Sequence, residues 1–267
     1  MEFNYQKCII IAGMLLLPSW VLGKDKPVSL VGLIYHATQG NPVAQYNLGV
    51  LYERGWNVPQ SYAKAIAYYQ QSARQHFAPA ESNLGALYVK GLGVPQSYST
   101  AVNYFKAAAR QGFDEGEYNL GVAYALGQGV PQSYRNAVKY YKQAALQGNQ
   151  WAQENLGVAY LQGKGVTQSY ARAFHYLKKS QMQGNANAAF DLGVLFYEGR
   201  GVKRNYIRAF HYFKQAADKG DALAQFNLGR MYWLGQGTKV SFKRGAHYFQ
   251  KAATYGNPRA LALLKTI

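Results

Sequence analysis

Residues 79–112 read PAESNLGALYVKGLGVPQSYSTAVNYFKAAARQG, and the order of residue types in that stretch decides the fold. Leu84, Leu87 and Tyr88 fall at the spacing of one helix face, with Gly85 among them where a neighbouring helix can approach closely. A helix is predicted over 79–90. It should stop at Gly91, because glycine tolerates the left-handed conformation that closes a helix, and Pro95 cannot continue one. Ser97 is the expected N-cap of a second helix, its hydroxyl accepting a bond from a backbone N–H that has no partner within the helix. That helix is expected to bury Tyr98, Ala101, Phe105, Ala108 and Ala109 on one face and to end at Gly112.

The same order recurs on both sides with a period of 36 residues and no insertion. Gly49, Gly85, Gly121, Gly157, Gly193 and Gly229 each follow a leucine, and each precedes Tyr52, Tyr88, Tyr124, Tyr160, Phe196 or Tyr232 by three residues. A second aromatic column runs Tyr62, Tyr98, Tyr134, Tyr170, Tyr206 and Phe242. The caps equivalent to Ser97 are Ser61, Ser133, Ser169, Asn205 and Ser241. The equivalent stops are Gly148, Gly184, Gly220 and Gly256, with His76 in place of glycine in the first unit. That unit also has Trp56-Asn57 where later units keep a residue followed by glycine, so its loop is expected to turn less sharply.

One such helix pair cannot bury its own apolar face, so pairs must stack. The pattern A-x-x-N-L-G-x-x-Y-x-x-G-x-G-V-x-x-x-Y-x-x-A-x-x-Y-x-x-A-A-x-x-G resembles the Sel1-like repeat, a 36-residue relative of the tetratricopeptide repeat. The resemblance implies an all-α fold, an α/α right-handed superhelical solenoid of six helix-turn-helix repeats with half-repeats at both ends. The expected organisation is a signal peptide over 1–23, an N-terminal capping half-repeat over 24–42, and a C-terminal capping segment over 259–267. The six repeats between them span 43–78, 79–114, 115–150, 151–186, 187–222 and 223–258.

The signal peptide rests on Lys7, the apolar run from Ile9 to Leu17, and Val21-Leu22-Gly23 before polar Lys24-Asp25-Lys26. Cleavage is expected after Gly23, which makes the chain periplasmic or secreted. The run is about half of what a bilayer span requires, and no later stretch is long enough, so an integral membrane protein is not expected. Cys8 is the only cysteine and precedes the run, so the mature chain would carry no thiol chemistry. The net charge of +17 is concentrated late: from Arg200 onward, thirteen Lys and Arg face only Asp218 and Asp221. Arg200, Lys203, Arg204, Lys239, Lys243 and Arg244 form a candidate basic patch, suited to an acidic protein or an envelope polysaccharide rather than to nucleic acid.

Candidate chemistry is sparse. Some cysteine-rich members of the family that the chain resembles are described as penicillin-binding, and Ser61-Tyr62-Ala63-Lys64 matches the Ser-x-x-Lys of such enzymes. Ser61 nevertheless belongs to the cap column, no Ser-Asp-Asn exists, and Lys265-Thr266 precedes isoleucine, so no enzyme activity is expected. His175, His211 and His247 share a column, yet residues one repeat apart ride on stacked helix pairs about 10 Å apart and cannot share a zinc ion that needs ligands at about 2 Å. No metal or cofactor is expected. The resemblance to tetratricopeptide arrays places variable columns of each first helix along a concave groove. Tyr46, Tyr118, Phe190, Tyr197, Phe226, Arg230 and Trp233 on those columns are the candidate contacts for a protein or peptide. The expected function is a non-catalytic protein-interaction scaffold or adaptor, with a polyanion- or peptidoglycan-associated envelope protein as the alternative and a penicillin-interacting enzyme as a distant third.

Overall fold

Local signals set the helix ends. In the second repeat, α4 (Ala78–Lys90) closes at Gly91, whose φ of 65° is left-handed, and the Leu92 N–H reaches back 3.1 Å to the Leu87 carbonyl. The loop is then folded onto the helix it leaves: the Gln96 side chain donates to the Val89 carbonyl at 2.7 Å and the Ser97 N–H to the Tyr88 carbonyl at 3.0 Å. Ser97 caps α5 (Tyr98–Arg110) by accepting from the Thr100 N–H at 3.2 Å. Ser61, Ser133, Ser169, Asn205 and Ser241 act in the same way.

The computed structural model describes residues 29–264, which carry fourteen α-helices and no strand. Residues 1–23, read as a signal peptide and containing Cys8, lie outside the described residues, as do Lys265 and Thr266. Among the described residues no helix is long and apolar enough to cross a membrane.

The chain divides between Gln147 and Gly148 into two compact units. The first contains α1 (Leu30–Thr38), α2 (Pro42–Arg54), α3 (Tyr62–Ala73), α4, α5, α6 (Asp114–Leu126) and α7 (Tyr134–Leu146). The second contains α8 (Gln150–Gln162), α9 (Tyr170–Met182), α10 (Ala186–Glu198), α11 (Tyr206–Asp218), α12 (Ala222–Leu234), α13 (Phe242–Thr254) and α14 (Pro258–Leu264). Within each unit the two helices of a repeat pack as a hairpin, and the second helix of one repeat packs on the first helix of the next.

The glycine after the leucine is where the hairpin closes. A Cβ added at Gly85 would stand 2.5 Å from the Phe105 ring, so only hydrogen fits between α4 and α5 at that level. The equivalent glycines meet Tyr69, Tyr141, Leu177, Phe213 and Phe249. The first loop corrects one expectation. Asn57 adopts a φ of 58° where later repeats use glycine, and the Ser61 N–H reaches the Tyr52 carbonyl at 2.8 Å, so this loop closes like the rest. His76 adopts a φ of 57° at the position of the helix-stop glycine.

Candidate partner-binding surface

Three columns of the first helices, those of Tyr46, Val50 and Glu53, were expected to face a partner, and in the first repeat all three are buried. Tyr46 and Glu53 lie three before and four after Gly49, which places both on the stripe that meets the second helix, while Val50 follows Gly49 directly and lies beside that stripe. Burial corrects the expectation for three of the seven candidates. Tyr46 is 2% exposed, with its ring centroid 5.7 Å from that of Tyr69 and 5.5 Å from that of Phe77. Tyr118 is equally buried, 6.1 Å from Tyr141, and Phe190 packs 5.6 Å from Phe213. Their rings close over the helix-pair core and offer no surface to a partner.

The other four candidates keep exposed surface, all in the second unit. Tyr197 is half-buried against Tyr206, with its hydroxyl 2.9 Å from Oε1 of Gln236. Phe226 and Trp233 are half-buried over Phe249 at 5.6 and 6.1 Å, Trp233 also lies 4.8 Å edge-on to Phe242, and Arg230 is exposed. Leu223, Phe226, Arg230, Trp233 and Leu234 recur on one face of α12, and Leu223 and Leu234 are each about half exposed, at 51% and 55%.

The basic patch is exposed at all six positions. Arg200 pairs with Glu198 at 2.8 Å, while the guanidinium groups of Arg204 and Arg244 lie 5.6 Å over the rings of Tyr206 and Tyr232. Gly237 lies against the Tyr206 backbone with no room for a side chain, which holds the loop carrying Lys239 against the start of α11.

A polar column, Asn47, Asn83, Asn119, Asn155, Asp191 and Asn227, precedes the leucine of each first helix and is buried at its first five positions. The Asn83 amide donates to the Tyr69 hydroxyl at 3.1 Å, and that hydroxyl donates to the Glu53 carboxylate at 2.6 Å. Burial and the neighbouring Glu53 charge push the Tyr69 phenol well above its usual range. Asp191 replaces asparagine in its column, and burial, reinforced by Glu154 and Asp221, holds its carboxyl well above the usual carboxylate range. Glu154 is itself raised by burial and accepts from the Asn185 amide at 2.7 Å. Burial pushes Glu115 up to about 7, with Asp114 adding to the rise. Glu53 and Glu154 were read from sequence as groove-facing and Asp191 as part of the asparagine column, while Glu115 was not singled out, because an acid on a helix carries no sign of its burial until the packing is known.

The remaining candidates are placed as follows. Ser61 Oγ accepts from the Lys64 N–H at 3.3 Å, the capping bond its column makes elsewhere, and the Lys64 ammonium lies 5.0 Å over the Tyr52 ring. His175, His211 and His247 are exposed on α9, α11 and α13, each edge-on to a ring adjacent in sequence. No group of three or more His, Cys, Asp or Glu that could hold a metal ion occurs among the described residues.

A family model for the Sel1 repeat matches six times, at residues 42–77, 78–113, 114–149, 152–185, 186–221 and 222–257. No curated protein matches the chain. Among solved structures, a protective antigen present in uropathogenic Escherichia coli strains and displaying an SLR fold is 35% identical, with a TM-score of 0.80 over 87% of this chain and 50% of that one. This chain therefore spans half the length of that protein. A Sel1 repeat protein from Oxalobacter formigenes is 31% identical, with a TM-score of 0.77 over 88% of this chain and 68% of that one. An immunity protein from Pseudomonas aeruginosa shares the fold alone, at 20% identity and a TM-score of 0.51 over 81% of this chain and 83% of that one.

Proposed function

The chain belongs to the Sel1 repeat family, and from that premise we propose that it is a non-catalytic adaptor whose open α12 face holds a partner protein in the cell envelope or outside the cell. Sel1 repeat proteins are protein-interaction scaffolds, and the fold by itself does not choose their partners. The observation that carries the reading is the cluster of Phe226, Arg230 and Trp233, with exposed Leu223 and Leu234 on the same helix face. Half-open aromatic rings beside an arginine supply the anchor residues that dominate protein interfaces. Tyr197 extends the surface on α10, and the six cations of the basic patch favour a partner with an acidic rim. The exported setting is supported by the apolar run from Ile9 to Leu17 and the small residue Gly23 behind it. The working unit in this reading is the six-repeat array over 43–258.

A crosslinking pull-down from envelope fractions tests the proposal. The wild-type chain is expected to retain one discrete protein that Trp233→Ala and Phe226→Ala lose by at least about tenfold, a difference of roughly 1.4 kcal/mol. Equal retention by both variants contradicts it. A second reading, binding of a polyanion or peptidoglycan, is favoured by the exposure of Arg200, Lys203, Arg204, Lys239, Lys243 and Arg244. It predicts the opposite pattern: loss on reversing Arg200, Lys203 and Arg204 to glutamate, strong salt sensitivity, and indifference to Trp233.

A further inference from the structure

Within the first unit a groove of about 540 Å3 opens between α3 and α5, on residues that neither reading of the partner surface uses. Gln70 and Arg74 form one wall, Asn103 and Tyr104 the other, and the buried Glu81 of α4 lies at its base. Two short side chains line it, Thr100 and Ala107; the column of Thr100 is Lys64, Asn136, Arg172, Arg208 and Arg244 in the other repeats. The column of Ala107 is Gln71, Gln143, Lys179, Gln215 and Lys251 in the other repeats, and any of these long side chains would extend across the space that the alanine leaves.

The lining has a definite chemical character. Gln70 and Asn103 each present a planar amide that donates and accepts at once. Glu81 already accepts from the Gln111 amide at 2.7 Å, and burial raises its carboxyl. Tyr104 stacks on Tyr88 at 5.8 Å, so one ring face is covered, and burial keeps its phenol protonated. Arg74, Glu81 and Tyr104 all line this groove, so a charge of each sign and an aromatic ring border one space. One cation opposed by one carboxyl does not suit a phosphate or a polyanion, and two alanine methyl groups, Ala73 and Ala107, beside the Tyr104 ring offer too short an apolar surface for an acyl chain. Paired amides, a carboxyl and an aromatic ring match a ligand whose adjacent hydroxyls each donate and accept and whose ring carries an apolar C–H face. The volume falls within the range of small-molecule sites, about 300–1,000 Å3.

We propose that this groove binds a neutral saccharide of one or two rings, with Gln70, Asn103 and Glu81 meeting hydroxyl groups and Tyr104 flanking the sugar ring. The test titrates cellobiose, maltose and N,N′-diacetylchitobiose into the full chain while following the side-chain amide resonances of Gln70 and Asn103, with citrate and inorganic phosphate as anionic controls. At least one disaccharide is expected to shift both amides saturably. Ala107→Gln and Asn103→Ala are each expected to weaken that binding by about tenfold or more, with helicity and melting temperature unchanged. Ala107→Gln restores the residue type of its column and Asn103 is exposed, so both variants are expected to fold. The proposal is overturned if no disaccharide shifts the two amides, if both variants bind as well as the wild type, or if only the anions bind and Arg74→Ala abolishes that binding.

Discussion

At Gly85 the distance to Phe105 leaves room for a hydrogen and nothing larger. Gly85→Ala forces the ring or the helix to move, and such overpacking costs about 1–3 kcal/mol. The expected outcome is a lowered urea midpoint with an unchanged slope, and an unchanged midpoint would remove the close approach from the account. Asp191 offers a test with a sign. Its carboxyl is raised in the folded chain, so above the ordinary aspartate value of 3.8 the fold holds a proton that the unfolded chain has released. The stability of the neutral acid is complete below that value and drains away as pH rises through the raised one. Asp191→Asn restores the residue of the other five repeats, with no charge to desolvate. The variant should be more stable than the wild type at pH 8, with the difference shrinking toward pH 3.5, as read from denaturation midpoints at the two pH values. A difference independent of pH would show that Asp191 does not titrate as its burial demands.

The elements were legible because their ends are written in residue types with few alternatives. Ser97 and its equivalents cap the second helices, and Gly91 and its equivalents close the first ones, as the spacing required. Two departures from glycine were legible as well, and both are now seen to be strained. Asn57 and His76 are the non-glycine residues with positive φ among the described residues. Asparagine tolerates that region better than histidine does, so the relief belongs mainly to His76. His76→Gly should raise stability by about 1 kcal/mol, seen as a melting temperature a few degrees higher. No rise would mean that contacts of the imidazole offset the backbone strain. The facing of the first helices was misread, although a signal for it existed. Once Gly49 is taken as the contact with α3, Tyr46 and Glu53 must share its stripe by helical spacing alone. Sequence could not supply the difference between Phe190, which is buried, and Phe226, which is half-open, because the two occupy one column and differ only in what covers them.

Across the whole molecule, charge and exposed apolar surface are both concentrated late in the chain. Thirteen of its 29 basic residues follow Glu198, and so does much of its exposed aliphatic and aromatic surface, including Ile207, Leu223, Leu234, Val240 and Phe242. The cations suit long-range attraction and the α12 face suits short-range capture, and ionic strength separates the two contributions. Between about 0.05 and 0.3 M salt, a partner held by α12 should lose affinity only a few-fold, chiefly through slower association, whereas a polyanion held by the patch should be released. The most direct measurement places a photo-crosslinking amino acid at Arg230 on the open face and, separately, at the exposed Lys139 on α7. The account predicts one discrete protein adduct from position 230 that is absent from position 139. An adduct from 139 alone, or the same adducts from both, would contradict it.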